Sequence, residues 1–315
     1  MEHKRILAKV IRLAAVVTFC GATAGLAVHH EPFHSWCFCF TWWSYILFAQ
    51  AWLYSRGGTA LLFNNPGRFG RLLPMSCQIW LVFEAYNLRL HNWFYVGVPI
   101  SLVARWGGYI ISFATVLPAI VTTVSLIEYS GLIPRHRFTP LPSSRRWHPL
   151  MIAIGLSCLL LPLIWPRYFF PLVWGGFIFL LEPLNHRLST DSLLRDWERG
   201  SPYRFIVLLS AGSLCGLMWE FWNYWAGTKW IYTIPYVHFL KLFEMPILGF
   251  LGFPPFAVEC YVMEVSVRLA FAKMRDRLTY RQYISAWCVV AVLIALLDCW
   301  IFLAMDQHTV ASYRD

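Results

Sequence analysis

Glutamate and asparagine stand three residues apart in two apolar stretches of the chain, Glu84 with Asn87 and Glu220 with Asn223. On a helix, positions i and i+3 share a face, so each carboxylate and its amide point the same way. A carboxylate turned toward hydrocarbon is costly, whereas one turned into a polar cavity can carry a proton. Burial away from cations favours the neutral form of a carboxyl. It can then act as a general acid toward an alkene, epoxide or hydroxyl, while an ionised partner takes the proton back. The asparagines would orient the acids or donate to them. Interhelical hydrogen bonding is the other role open to such pairs.

The residues that follow suit an apolar substrate. Trp219, Trp222 and Trp225 surround Glu220, and Trp230 and Tyr232 come soon after. Such rings would wall a substrate and steady a carbocation by roughly 1–2 kcal/mol per well-placed ring. Glu259, beyond Pro254-Pro255, is a third candidate acid, and Glu244, before Met245-Pro246, is a fourth near the outer interface. Lys241 is placed to pair with Glu244 or an anionic head group, or to snorkel. Gly249 and Gly252 would let backbone approach a ligand. Glu220 is expected to protonate the substrate, with Glu259 or Glu84 handling the second proton. Glu128 and Glu264 lie toward inner helix ends, Glu182, Asn185 and His186 share one face, and Asp298 is glue or a subunit contact. His29, His30 and His34 read as a solvated loop, and the chain has no C-x-x-C pair, so no metal and no cofactor is assigned.

The elements that must position these groups are membrane helices. Hydrophobic residues make up 58% of the 315 and charged ones 13%, against about 25% charged in soluble domains. That balance excludes a soluble enzyme, a coiled coil and a disordered chain. Windows near 8–28, 33–54, 72–88, 107–129, 149–165, 168–183, 204–226, 245–268 and 284–305 predict about nine spans in an all-α bundle, the eighth kinked or broken by its prolines. The first window, after Lys4, Arg5, Lys9 and Arg12, reads as a retained helix rather than a signal peptide. Alternate connections hold 19 of the 26 Lys and Arg; the opposite side holds six, Arg314 among them. This asymmetry predicts a multi-pass inner-membrane protein, for a bacterial host, with its N-terminus inside and its C-terminus outside. The net charge of +10 is thereby explained without nucleic acid. P-loop, dinucleotide and G-x-S-x-G signatures are absent from the sequence.

The chain also matches itself. Glu84, Asn87 and Pro99 recur 136 residues later as Glu220, Asn223 and Pro235, while Trp93 and Tyr95 recur at 137 as Trp230 and Tyr232. The 136 spacing also pairs Arg105 with Lys241, Pro118 with Pro254 and Glu128 with Glu264. A displacement of four spans leaves both copies the same way up, as parallel repeats. The expected organisation is a four-helix repeat over 1–135, a second over 136–272, and a ninth helix with its tail over 273–315.

Around Trp230-Ile231-Tyr232 and Glu244-Met245-Pro246, with the duplication, the chain loosely resembles membrane-integral carotenoid enzymes: the heterodimeric or fused lycopene cyclases and the bacterioruberin-type carotenoid hydratases. Their P-x-E-E-x-x-F-F motif is missing, and the resemblance covers about a quarter of the chain. It implies an isoprenoid substrate without assigning cyclisation or hydration. The reading that results is a cofactor-independent intramembrane acid/base enzyme acting on a lipid or isoprenoid by isomerisation, cyclisation or hydration. Two alternatives stand beside it: a lipid- or pigment-binding or assembly subunit, as a homodimer or with a membrane-protein partner, and a small proton-coupled transporter.

Overall fold

The computed structural model describes residues 2–237 and 239–311; Arg314 lies outside them. The first half contains α1 (Glu2–Ala27), α2 (Phe33–Ser55), the one-turn α3 (Leu61–Asn64), α4 (Pro66–Leu90), strand β1 (Trp93–Val96), α5 (Leu102–Phe113) and α6 (Val116–Ser130). Then come α7 (His148–Ile164), α8 (Pro166–Phe169), α9 (Val173–Leu188), α10 (Leu193–Glu198), α11 (Tyr203–Trp225) and strand β2 (Lys229–Tyr232). Strands β3 (Lys241–Leu242) and β4 (Met245–Pro246) precede α12 (Phe253–Arg277) and α13 (Tyr280–His308).

The fold is a helix-rich bundle. Among the described residues, seven helical segments are long and apolar enough to cross a membrane: Glu2–Ala27, Leu102–Ser130, Ser144–Ile164, Pro166–Leu188, Tyr203–Trp225, Ile247–Arg277 and Tyr280–His308. Such a set is consistent with a membrane-embedded, polytopic protein. Helices α2 and α4, of 23 and 25 residues, occupy the second and third expected windows but fall outside that set. Their tryptophans, tyrosines and polar side chains lower the hydropathy. Helix α10 lies in the connection between α9 and α11.

Helix breaks are more numerous than the prolines suggest. The expected fourth span divides at Ala114-Thr115, upstream of Pro118, into α5 and α6. Ser76 of α4 mends this break: its hydroxyl donates to the Phe113 carbonyl at 2.5 Å and accepts the Leu117 N–H at 2.9 Å. Within α9, Trp174 and Gly175 leave helical geometry, and Glu259 of α12 accepts the Phe177 N–H at 2.8 Å just beyond. The eighth span begins as a 3-10 turn, Ile247–Gly252, and becomes α-helical at Phe253. Backbone freed inside an apolar bundle needs such partners.

Helix α1 packs on α2 and α7 on α9; α2 reaches α6 as α9 reaches α12; α4 lies against α6 as α11 lies against α12. Helices α11 and α12 touch at Gly212, where an added Cβ would lie 2.4 Å from the Phe253 carbonyl oxygen. Only a residue without a side chain allows that approach. A single large core joins α2, α4, α6, α11 and α12 around Trp42, Phe83, Trp219 and Phe256.

The all-α expectation misses two short ribbons. β1 pairs antiparallel with β2 in the register Trp93 to Tyr232, Phe94 to Ile231, Tyr95 to Trp230 and Val96 to Lys229. β3 pairs with β4. Four-residue strands that follow a helix give little periodic signal, and other groups decide their formation.

Candidate functional site

Those groups are the repeated asparagines. Asn87 donates its Nδ2–H to the Trp93 carbonyl at 2.8 Å, and its Oδ1 accepts the N–H groups of Asn92 at 2.8 Å and Trp93 at 3.2 Å. Asn223 donates to the Trp230 carbonyl and accepts the Trp230 N–H, both at 2.9 Å. Each amide imitates a strand neighbour and folds the chain back over the end of its own helix.

Alternation along a strand sends Trp93 and Tyr95, or Trp230 and Tyr232, to the same face. That face meets the glutamates. Glu84 Oε1 accepts the Tyr95 hydroxyl at 2.5 Å, the Trp80 indole N–H at 2.8 Å and the Trp93 indole N–H at 3.2 Å. Glu220 Oε1 accepts the Tyr232 hydroxyl at 2.8 Å. Both carboxyl groups are fully buried, and the Oε2 of each has no hydrogen-bond partner among the described residues.

A cavity of about 390 Å³ lies against the ribbon, within the range of about 300–1,000 Å³ common for small-ligand sites. Trp80, Trp93 and Tyr95 line it from one half, and Trp219, Trp230 and Tyr232 from the other. Glu84 and Glu220 do not line it; each stands one layer back, behind the tyrosine whose hydroxyl it accepts. The chain therefore presents two phenols to the cavity with a carboxyl group behind each. Asn92, Ser112 and Thr115 add hydrogen-bonding groups to the wall.

Two cations also line the cavity, and each is tied to a carboxylate. Lys229 Nζ lies 2.7 Å from Glu244. Arg105 donates from Nε and Nη2 to Asp306 of α13, both at 2.8 Å, and from Nη1 to the carbonyls of Pro99 and Ile100. Trp106 and Tyr109 donate to the same Asp306 at 3.0 and 3.2 Å. Sequence reasoning missed Asp306; the available signal was a carboxylate near the end of a very apolar helix, facing an equally isolated arginine.

Several expected roles come out differently. Lys241 is exposed in the β3 backbone ladder, and Lys229 takes Glu244 instead; Lys241 and Arg105 thus occupy unlike positions despite their matching spacing. Trp222 packs on Trp42 and Tyr45, and Trp225 is 56% exposed; neither lines the cavity. Glu259 is buried at the α9 kink and does not line the cavity either. Gly249 and Gly252 do line it. Asp298 accepts the Gln78 amide at 2.6 Å and ties α13 to α4. Glu264 faces Arg68 and Arg268, and Glu128 is exposed. His29 and His34 stack near each other, but no group of three potential metal ligands occurs among the described residues.

Glu182, Asn185 and His186 form a second polar set at the opposite end of α9. Glu182 accepts the Ser192 hydroxyl and the Leu194 N–H, Asn185 bonds the Val262 carbonyl and Ser266, and His186 meets Glu198 at 3.0 Å. Desolvation opposes ionisation of Glu198. The Ser144 N–H, His186 and the Ser144 hydroxyl outweigh it and hold this carboxyl at about 2.

Fold and cavity together define a membrane-type helix bundle with an internal aromatic chamber at one end. No family model, curated protein or solved structure matches the chain.

Proposed function

We propose that the chain is a nine-span protein of a bacterial inner membrane, N-terminus inside and C-terminus outside, that performs acid/base chemistry on a lipid or isoprenoid in the aromatic cavity. The observation carrying this reading is that Tyr95 and Tyr232 line the cavity while Glu84 and Glu220 accept their hydroxyls from behind. In the forward step Glu220 starts protonated; the Tyr232 O–H, turned toward the cavity, gives its proton to the substrate while the Glu220 carboxyl passes its own to the phenol oxygen. A second proton leaves the rearranged substrate for Tyr95, whose own proton moves to Glu84. One proton enters and one leaves, so the product is an isomer; Glu84 then loses its proton and Glu220 regains one by exchange with solvent, which restores the starting state. General acid catalysis of this kind contributes about 10²–10⁴-fold.

Parallel duplication belongs to the same proposal. It is supported by the two E-x-x-N and W-x-Y sets folding alike, by the matching helix partners of the two halves, and by a ribbon register centred on Phe94 and Ile231.

A purely binding role is the second reading. It is favoured by the way Asn87 and Asn223 use their amides to secure the ribbon. Lipid extraction and mass spectrometry of cells carrying wild type, Tyr232→Phe or Glu220→Gln separates the two. The enzyme reading expects a substrate pool to rise and a product pool to fall in both variants. Unchanged pools at unchanged protein level would leave binding as the function.

A further inference from the structure

Among the described residues that line the cavity, only Pro171, Leu248 and Leu251 are exposed. All three come from two adjoining irregular segments, the 3-10 turns Phe170–Leu172 and Ile247–Gly252. The exposed part of the wall thus belongs to these two segments, which approach each other where Gly252 faces the Trp174 ring. Leu251 is 70% exposed and Leu248 54%; exposed apolar and aromatic residues, Trp165, Tyr168, Tyr236, Phe239 and Ile247, lie on these and the neighbouring segments, with Arg167 and Lys241 as exposed cations among them. Aromatic rings grouped with bare aliphatic side chains and a few long cations suit the boundary of a bilayer, where rings sit at the headgroup level and cations snorkel.

Charge inside the chamber points the same way. Its only charged lining residues, Arg105 and Lys229, are each neutralised by a carboxylate, Asp306 and Glu244. An entering anion would have to displace one of them and leave a carboxylate unpaired in an apolar setting. Size sets a third limit. A chamber of about 390 Å³, toward the lower end of the range of small-ligand sites, takes a portion of a long membrane chain.

We propose that the cavity is filled sideways from the bilayer, through a mouth between Pro171 and Leu248–Leu251, by the neutral end of a long-chain lipid. The remainder of the chain stays outside in the membrane. This rests on the cavity being the substrate site, and it adds the route and the electrical character of the substrate.

Gly252 offers a way to close the mouth. Its backbone is in the right-handed helical region (φ −76°), and an added Cβ would meet the Trp174 ring at an ordinary 3.6 Å. Gly252→Leu therefore adds bulk beside Leu251 without displacing backbone. Gly21→Leu, on α1 with open space around it, is the matched control. The probe is a long-chain alcohol bearing a diazirine next to its hydroxyl end, compared with the carboxylic acid of the same chain, photolysed on protein in nanodiscs of zwitterionic lipid. Crosslinked peptides are mapped by mass spectrometry.

The alcohol is expected to label the peptides carrying Trp93–Tyr95 and Phe253–Phe256. Gly252→Leu should reduce that labelling by at least about tenfold and Gly21→Leu should leave it unchanged, while the acid labels about tenfold less than the alcohol. Full cavity labelling in Gly252→Leu, with normal elution of the protein, overturns the route and spares the site. Equal labelling by acid and alcohol overturns neutrality. Labelling confined to outer helix surfaces overturns both this inference and the cavity as the substrate site.

Discussion

Asp306 is the strongest single test of how the cavity wall is held. Four donors on three consecutive-turn residues of α5, Arg105, Trp106 and Tyr109, converge on this one carboxylate of α13. Both charged side chains are mostly buried, at 10% and 13% exposure. Asp306→Ala strands a guanidinium in an apolar wall, and removal of one partner of a buried pair costs about 3–5 kcal/mol. At about 2 °C per kcal/mol for a chain beyond 200 residues, the midpoint should fall by roughly 6–10 °C. Arg105→Met should cost a comparable amount by stranding the carboxylate. The double variant Arg105→Met/Asp306→Leu removes both charges, and replacement of a whole buried pair by apolar groups is often neutral or stabilising. No charge is then stranded, but Trp106, Tyr109 and the Pro99 and Ile100 carbonyls still lose partners, so its midpoint should fall by clearly less than the sum of the two single losses. Thermal scans in one detergent, read by size-exclusion fluorescence, give all four values. A harmless Asp306→Ala, or a double variant showing the sum of both single losses, would refute the assignment of this pair as a buried latch.

Three further outcomes follow from geometry already described. Asn223→Ala removes the acceptor of the Trp230 amide, and an unsatisfied buried group costs about 1–3 kcal/mol; hydrogen exchange at that amide should quicken by roughly 5–150-fold, while α7 amides stay unchanged. Glu259→Gln keeps an oxygen for the Phe177 N–H and should hold its melting temperature, whereas Glu259→Leu should lose about 1–3 kcal/mol and expose the Trp174–Gly175 kink to limited proteolysis. For Glu198, held at about 2 against an ordinary 4.5, the sign is that of a depressed acid. Its stabilisation is present above about pH 4.5 and disappears as pH falls toward 2. Solvent screening reduces the effect to about 1–2 kcal/mol, and Glu198→Gln should flatten acid unfolding over that window.

Long apolar windows translate directly into helices because length and hydropathy are local properties, and helix positions at 8–28 or 284–305 needed no tertiary information. The matched residues Glu84, Asn87, Trp93 and Tyr95 were legible as a repeat for the same reason. Their purpose was not. Spacing at i and i+3 states that Glu84 and Asn87 share a face, but not that the next ten residues double back and occupy it. The ribbon needs two partners 136 or 137 residues apart, a pairing that hydropathy cannot display. Glu259 illustrates the reverse error. Beside paired prolines it reads as an acid in a broken helix, yet the break it serves lies in α9, which it repairs through the Phe177 amide. Lys241 was matched to Arg105 by spacing alone, and an inserted ribbon, β3–β4, moved it out of the wall.

The ribbon also bears on how the halves relate. Antiparallel strands that pair Trp93 with Tyr232 and Tyr95 with Trp230 are exchanged by a two-fold axis through Phe94 and Ile231. An inverted repeat would place its two copies at opposite membrane faces, where they could not pair; a parallel repeat puts both at one face, with the axis along the membrane normal. Under the proposed duplication, each half supplies one tyrosine that lines the chamber and one carboxyl behind it. The halves are nonetheless unequal. Glu84 Oε1 takes three donors at 2.5, 2.8 and 3.2 Å, while Glu220 Oε1 takes the Tyr232 hydroxyl at 2.8 Å. A carboxyl with three donors on one oxygen is held more rigidly than one with fewer. Glu84 is thereby the firmer anchor of the ribbon; on the proposed acid/base reading, a substitution at Glu84 should register first in stability and one at Glu220 first in the lipid pools.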